Sequence, residues 1–171
     1  MLIDSMPGQM TRADVPRVPV AAPELRSVMR HWTTGICVVT TATAGRQAGL
    51  VMNSFASVSL EPALVSWCVD KASTSFDIWM ETDNFSIHVL DQADAHYVPR
   101  FARRGVDKFD GLRTQLGATG APALPEVEIR LDCRLWSRYE GGDHIILLGR
   151  VDHIAQPESI DPLLLHQLRK P

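Results

Sequence analysis

Covalent and metal frameworks are scarce in this sequence. Cys37, Cys68 and Cys133 are the only cysteines in 171 residues. The count is odd and no C-x-x-C pair occurs, which argues against a disulfide scaffold and a zinc knuckle. The histidines show no H-x-x-x-H pattern. His144 and His153 stand nine apart, so a strand would point them to opposite faces and they could not share a metal. No metal site is expected. No G-x-S-x-G elbow and no G-x-G-x-x-G turn occurs, which removes the usual signs of a serine hydrolase and a Rossmann sheet. Charge of one sign is not in large excess: 17 basic against 20 acidic residues give −3. A dedicated nucleic-acid binder is therefore not expected. No apolar run approaches the roughly 20 residues of a membrane helix. The start lacks the basic region and apolar stretch of a signal peptide, so a cytoplasmic protein is expected.

What is present suits one soluble domain. Apolar residues make up 45% of the chain, and a chain of this length can bury roughly 70% of its surface. Residues 1–22 carry Pro7, Pro16 and Pro19 with scattered charge and read as a flexible N-terminal arm; the domain proper is expected over 23–171. Pro23 opens a helical stretch with Leu25, Val28, Met29 and Trp32 on one face. Strands follow at 36–41, 48–59, 63–69 and 85–89. Between the last two, Ser73 is placed to cap a helix running to about Glu81. A polar helical segment covers 92–105. Val127, Ile129, Leu131, Cys133 and Leu135 then alternate with charged residues, which predicts a strand with one buried face. The Glu140–Asp143 turn returns the chain as a strand to Ile154, giving a hairpin. A short helix is expected over 162–168. This spacing of strands suggests a small barrel or sandwich.

Four segments carry candidate chemistry. Met52 to Ser59 places Asn53, Ser54, Ser57 and Ser59 among apolar residues. Such a segment either edges a heteroaromatic ligand or is a solvated edge strand. Asp70 to Ser75, with Lys71, Ser73 and Thr74, sits at a strand-to-helix junction; it is either a phosphate cradle or a simple cap. Arg100, Arg103 and Arg104 fall on one helix face, and residues 100–113 carry five basic against two acidic side chains. That local +3 suits an anionic ligand, or a solvated face. Gly142-Asp143-His144 lies where a turn enters a strand, and His144 is either a hydrogen-bonding group at a ligand or a structural residue.

Taken in order, these pieces resemble the flavin reductase-like family. They are Met29 to Gly35 with Val38 to Thr41; Asn53-Ser54-Phe55 through Glu61-Pro62; Cys68-Val69-Asp70-Lys71 with Ser73-Thr74; Phe85 to Leu90; Phe101-Ala102 with Asp107-Lys108-Phe109; and Gly142-Asp143-His144 with Gly149-Arg150-Val151. The resemblance covers about residues 25–155. It implies a mainly β, Greek-key, FMN-binding split β-barrel with a few peripheral helices. It implies an NAD(P)H:flavin oxidoreductase that passes a hydride from nicotinamide C4 to flavin N5. Exchangeable FAD or FMN would be reduced by NADH or NADPH and handed to a separate oxygenase of a two-component monooxygenase. Met52, Asn53, Ser54 and Ser57 would contact the flavin. Cys68, Asp70, Lys71, Ser73 and Thr74 would hold its phosphate end, with Phe101, Ala102 and Lys108. Gly142 and Asp143 would place His144 beside the nicotinamide as the one catalytic side chain. A homodimer is implied. The alternatives are a non-catalytic flavin-binding or electron-transfer protein on the same barrel, and a pyridoxamine-phosphate-oxidase-like enzyme. Two positions depart from the family pattern: Val51 and Met52 stand where a small or hydroxyl residue is common, and His88 where Asn is common.

Overall fold

The computed structural model describes residues 19–168. The expected arm over 1–22 therefore lies almost wholly outside the described residues. Helix α1 (Ala22–Met29) belongs to a unit ending at Trp32. It starts at Ala22, one residue before the expected Pro23, which falls in its first turn, and none of its residues is buried. Leu25, Val28, Met29 and the following Trp32 are all more than half exposed.

From Thr33 onward the chain builds one seven-stranded antiparallel sheet. Its strands are β1 (Cys37–Thr43), β2 (Arg46–Met52), β3 (Ala56–Leu60), β4 (Ala63–Asp70), β5 (Asn84–Val89), β8 (Ile129–Gly141) and β9 (His144–Ala155). The order across the sheet is β2-β1-β5-β8-β9-β4-β3. A two-stranded ribbon, β6 (Gln115–Leu116) with β7 (Pro122–Ala123), lies outside it. Helix α2 (Phe76–Glu81) and helix α3 (Tyr97–Phe101), preceded by a 3-10 turn over Ala93–His96, complete the main elements.

The strand order dictates the shape. Strands β2 and β3 occupy opposite ends of the sheet, yet only residues 53–55 join them. Four residue steps from Met52 to Ala56 span at most about 14 Å. Seven flat strands would hold those ends about 29 Å apart at about 4.8 Å per gap. The sheet must therefore curl until its ends approach. Since β2 and β3 do not pair, the barrel stays split. The single strand anticipated over 48–59 is thus two strands. Asn53, Ser54 and Phe55 leave the ladder to make the crossing.

The barrel interior holds Trp67, Trp79 and Phe85, all fully buried. Trp67 meets Trp79 and Phe85 edge to face, with centroids 4.8 and 5.7 Å apart. Such pairs add about 0.5–1.5 kcal/mol beyond area burial. Cys37, Val39, Phe85 and Ile87 face this core, whereas Ile36, Val38, Leu90, Tyr97, Phe101 and Phe109 form a second cluster.

That second cluster explains a difference from the sequence reading. Ser86, His88 and Asp132 alternate with apolar residues and read as solvent-facing; all three are fully buried. Residues 117–124 lie over this outer face, and its polar side chains satisfy their backbone groups. His88 Nε2 accepts the Leu124 N–H at 3.0 Å, and its Nδ1 lies 3.1 Å from the Val38 carbonyl. Thr40 donates to the Pro122 carbonyl. Asp132 accepts from Ser86 Oγ at 2.6 Å, from the Ala118 N–H at 3.0 Å and from Arg130 Nε at 3.0 Å. Burial opposes ionisation of Asp132, but those bonds prevail and hold its carboxyl below the usual range.

The helices are shorter than the sequence pattern predicts. Helix α2 begins at Phe76 and no side chain caps it. Ser73 Oγ instead faces the Ser75 N–H at 3.4 Å. Helix α3 ends at Phe101, so Arg103 and Arg104 are not on its face. The hairpin of β8 and β9 matches its expected span, with Gly142 at φ 76° supplying the left-handed turn residue. The final helix is one 3-10 turn, Leu165–Leu168.

Burial lowers the pKa of His88 from 6.5 to about 4. As pH falls, the unfolded chain takes up this proton near 6.5 and the folded chain only near 4. Stability present above pH 6.5 is therefore lost across that window, by up to about 3 kcal/mol. Urea unfolding of the wild type and His88→Asn from pH 7.5 to pH 4 checks this. The variant should be less stable at pH 7.5 and show a flatter pH dependence.

Candidate active site

A cleft of about 310 Å³ opens where the end of β2 faces the end of β4. Leu50 to Ser54 form one wall, and Cys68, Asp70, Ser73 and Thr74 another. Phe101 to Arg104 with Lys108 cover one end, and His144 also lines the cleft. Eleven of the fifteen residues singled out in the sequence meet here: Met52, Asn53, Ser54, Cys68, Asp70, Ser73, Thr74, Phe101, Ala102, Lys108 and His144.

Each wall has a local cause. Met52 turns its side chain into the barrel core and is 8% exposed, so only its backbone is left for a ligand. Asn53 Nδ2 lies 3.3 Å from Thr34 Oγ1. Ser54 Oγ accepts the Cys68 N–H at 2.9 Å, which pins the 53–55 crossing onto β4. That bond uses Ser54 as an acceptor and leaves its hydroxyl proton to donate elsewhere. Asp70 Oδ1 accepts the Ala72 N–H at 2.7 Å and holds the turn carrying Ser73 and Thr74.

Lys108 is the cation of the cleft. Its Nζ donates to the carbonyls of Gly49 and Phe101, each at 2.8 Å. It makes no ion pair among the described residues, and burial lowers its pKa. An ammonium has three donors, so one remains for a ligand. Lys108 is also braced from outside: Arg100 Nη1 donates to the carbonyls of Lys108 and Asp110 at 3.1 and 2.9 Å. Arg104 donates to the Ala72 carbonyl at 2.7 Å, joining the 102–108 loop to the Asp70 turn.

His144 stands first in β9, opposite Asp70 in the ladder. Its Nδ1 lies 2.8 Å from Asp143 Oδ1. With the proton on Nδ1, Nε2 is left as acceptor. The hydrogen bond from His144 lowers the pKa of Asp143.

Four singled-out residues lie outside these walls. Ser57 is exposed on β3, opposite Val65. Lys71 is paired to Glu140 and donates to the Gly142 carbonyl at 2.8 Å. It ties the Asp70 turn to the β8–β9 turn, its charge is matched by Glu140, and it does not line the cleft. Gly142 and Asp143 shape that turn. Two cationic linings, Arg103 and Arg104, entered the sequence reading only as part of a helix face. The local charge excess marks them, but the helix ends before them, at Phe101. Leu50 carries no mark of a ligand wall in the sequence, being one apolar residue beside Gly49, Val51 and Met52.

A phosphorylated heteroaromatic ligand suits this chemistry. The cleft pairs an apolar strand end with hydroxyls and an unpaired half-buried ammonium. Comparison with known proteins agrees. The flavin reductase like domain matches residues 29–170. A flavin reductase of Pseudomonas putida is 36% identical over 154 residues, covering 90% of each chain. An FMN reductase (NADH) of Agrobacterium fabrum is 38% identical over 138 residues, covering 81% of this chain and 78% of its own. Among solved structures, an NADH:FAD oxidoreductase of Streptomyces globisporus, in complex with NAD and FAD fragments, superposes with a TM-score of 0.77 at 33% identity. That match covers 86% of this chain and 92% of the other. The chain belongs to the flavin reductase-like family. It is an oxidoreductase that uses flavin and a nicotinamide nucleotide, and its fold is the mainly β barrel expected.

Gly49 gives a test of how the cleft is built. A Cβ there would lie 2.4 and 2.6 Å from the Phe101 ring. Phe101 is 1% exposed and has no room to retreat. Gly49→Ala should displace the ring and the carbonyls that hold Lys108, at a cost of about 1–3 kcal/mol. Thermal unfolding should show a lower midpoint, together with weaker flavin binding in an equilibrium titration.

Proposed function

We propose that the cleft holds a flavin with its ring along Met52–Ser54 and its phosphate at Lys108, Ser73 and Thr74, and that His144 orients the nicotinamide. The observation carrying this reading is the unpaired ammonium of Lys108, half-buried and facing the same cleft as the hydroxyls of the Asp70 turn. A cation held between two carbonyls is poorly solvated and lacks a counterion. A phosphate supplies the missing charge, and a charge-assisted bond contributes about 1.5–3 kcal/mol.

The backbone at Met52 and the side chains of Asn53 and Ser54 offer polar groups along a ring edge. Cys68, Phe101 and Ala102 line the remainder of the wall. His144, held by Asp143 and anchored through Lys71, orients a carboxamide. A bound flavin supplies N5 as acceptor for the hydride of nicotinamide C4. The protein's contribution is to hold the two rings in near-attack geometry and to limit water between them. No strong acid or base is needed for that transfer. An open cleft also suits a flavin that enters oxidised and leaves reduced for a separate oxygenase.

The exposed apolar face of α1 supports a homodimer. Leu25, Val28, Met29 and Trp32 expose apolar surface that a second copy of the chain would cover.

The first experiment follows NADH oxidation with and without added flavin. Turnover should require free flavin and saturate with it; flavin binding without NADH or NADPH oxidation would favour the carrier alternative. Lys108→Met should weaken FMN binding about tenfold or more. It should leave binding of riboflavin, which has no phosphate, nearly unchanged. His144→Ala should raise KM for NADH while leaving the flavin dissociation constant within about twofold of the wild type. Sedimentation should give a dimer, and Val28→Glu should shift it toward monomer.

A further inference from the structure

A second cavity, of about 470 Å³, adjoins the first. Strand β2 runs along both. Its turn and first half, Gly45 to Gly49, line the second cavity, and its end lines the first. Thr74 and Lys108 line both. The two are lobes of one cleft with the unpaired ammonium at their junction. A phosphate held at Lys108 would thus have the flavin ring on one side and the second lobe on the other.

The distal lobe has its own chemical character. Ile78, Val106 and Phe109 give it an apolar wall. Gln47 is exposed there and presents an amide that both donates and accepts. Its other cation, Arg46, is already paired with Asp77 and Glu81. Asp107 adds a further carboxylate to the lining, its Oδ1 accepting the Phe109 N–H at 2.8 Å. Beyond Lys108 the lobe therefore offers no second unpaired cation among the described residues. A flat, neutral, polar-edged group suits it.

We propose that the distal lobe receives the adenosine half of flavin adenine dinucleotide, so that the chain selects FAD over FMN. The proposal rests on Lys108 holding the flavin phosphate. In FAD that phosphate is followed by a second one and then by adenosine. A diphosphate at the junction would meet Lys108 and Thr74 directly. FMN would fill the proximal lobe alone and leave the apolar wall wet.

Equilibrium titration by flavin fluorescence or calorimetry, with no nicotinamide present, tests this on the full chain. The wild type should bind FAD about tenfold or more tightly than FMN, and AMP should compete with FAD. Gln47→Trp, which fills the lobe, should bring the two flavins within about twofold by weakening FAD and sparing FMN. Val106→Asp, which adds a like charge on an exposed loop, should do the same and guards against misfolding of the first variant. Equal wild-type affinities would overturn the proposal, as would equal weakening of both flavins by the variants. Weakened NADH binding to the FMN-loaded variants, with the FAD preference intact, would assign the lobe to the adenosine of the nicotinamide nucleotide and also overturn it. A wild type that binds neither flavin would remove the phosphate reading on which the proposal stands. Loss of FMN binding in Lys108→Met with equal wild-type affinities would keep that reading and reject this one.

Discussion

Three residues, Asn53 to Phe55, join strands at opposite ends of a seven-stranded sheet, and much of the molecule follows from that short span. A link this short cannot cross a flat sheet, so the sheet curls. The curl encloses Trp67, Trp79 and Phe85 and brings the ends of β2 and β4 together. The link is itself fastened, because Ser54 accepts the Cys68 N–H. The cleft forms at this seam for a geometric reason. Residues that leave the ladder have backbone groups with no strand beside them, and those groups face a gap between two strand ends.

The outer face of the sheet meets a different constraint. Residues 117–124 cross it with little regular structure, and their buried backbone groups need partners. His88, Thr40 and Asp132 supply them. A neutral imidazole at His88 can donate to one carbonyl and accept from one N–H. Bridging strand and covering segment in that way gives this departure from the family pattern a structural task. Ser86 and Arg130 perform the same service for Asp132, whose charge would otherwise be costly so far from water.

The cleft combines these two constructions. Its walls are strand ends, which are rigid, and its cationic end is a loop stapled by Arg100 and Arg104. Lys108 depends on both. It reaches the Gly49 carbonyl on the sheet and the Phe101 carbonyl at the end of α3, a reach that Gly49 permits by lacking a Cβ. The ammonium is thereby fixed where two lobes meet, while Arg46, spent on Asp77 and Glu81, leaves the far lobe without a second free cation. Position and pairing together give the lobes different chemistry from similar residues.

Much was legible in order along the chain. Alternation of apolar and polar residues marks the β8–β9 hairpin and strand β5, and a β-branched run marks β1; these and β4 lie near their expected bounds. Ordered short motifs located eleven residues of the cleft and the family to which the chain belongs. Such features are local, since strand period, turn residues and motif spacing are set by nearest neighbours. Tertiary structure alone decided the rest. It split the 48–59 segment, because only the closing of the barrel makes Asn53 leave the ladder. It buried Ser86, His88 and Asp132, because polarity in a strand looks the same under water as under a covering loop. It sent Lys71 to Glu140 and left Lys108 unpaired, because ion pairing depends on which distant carboxylate the fold brings within reach.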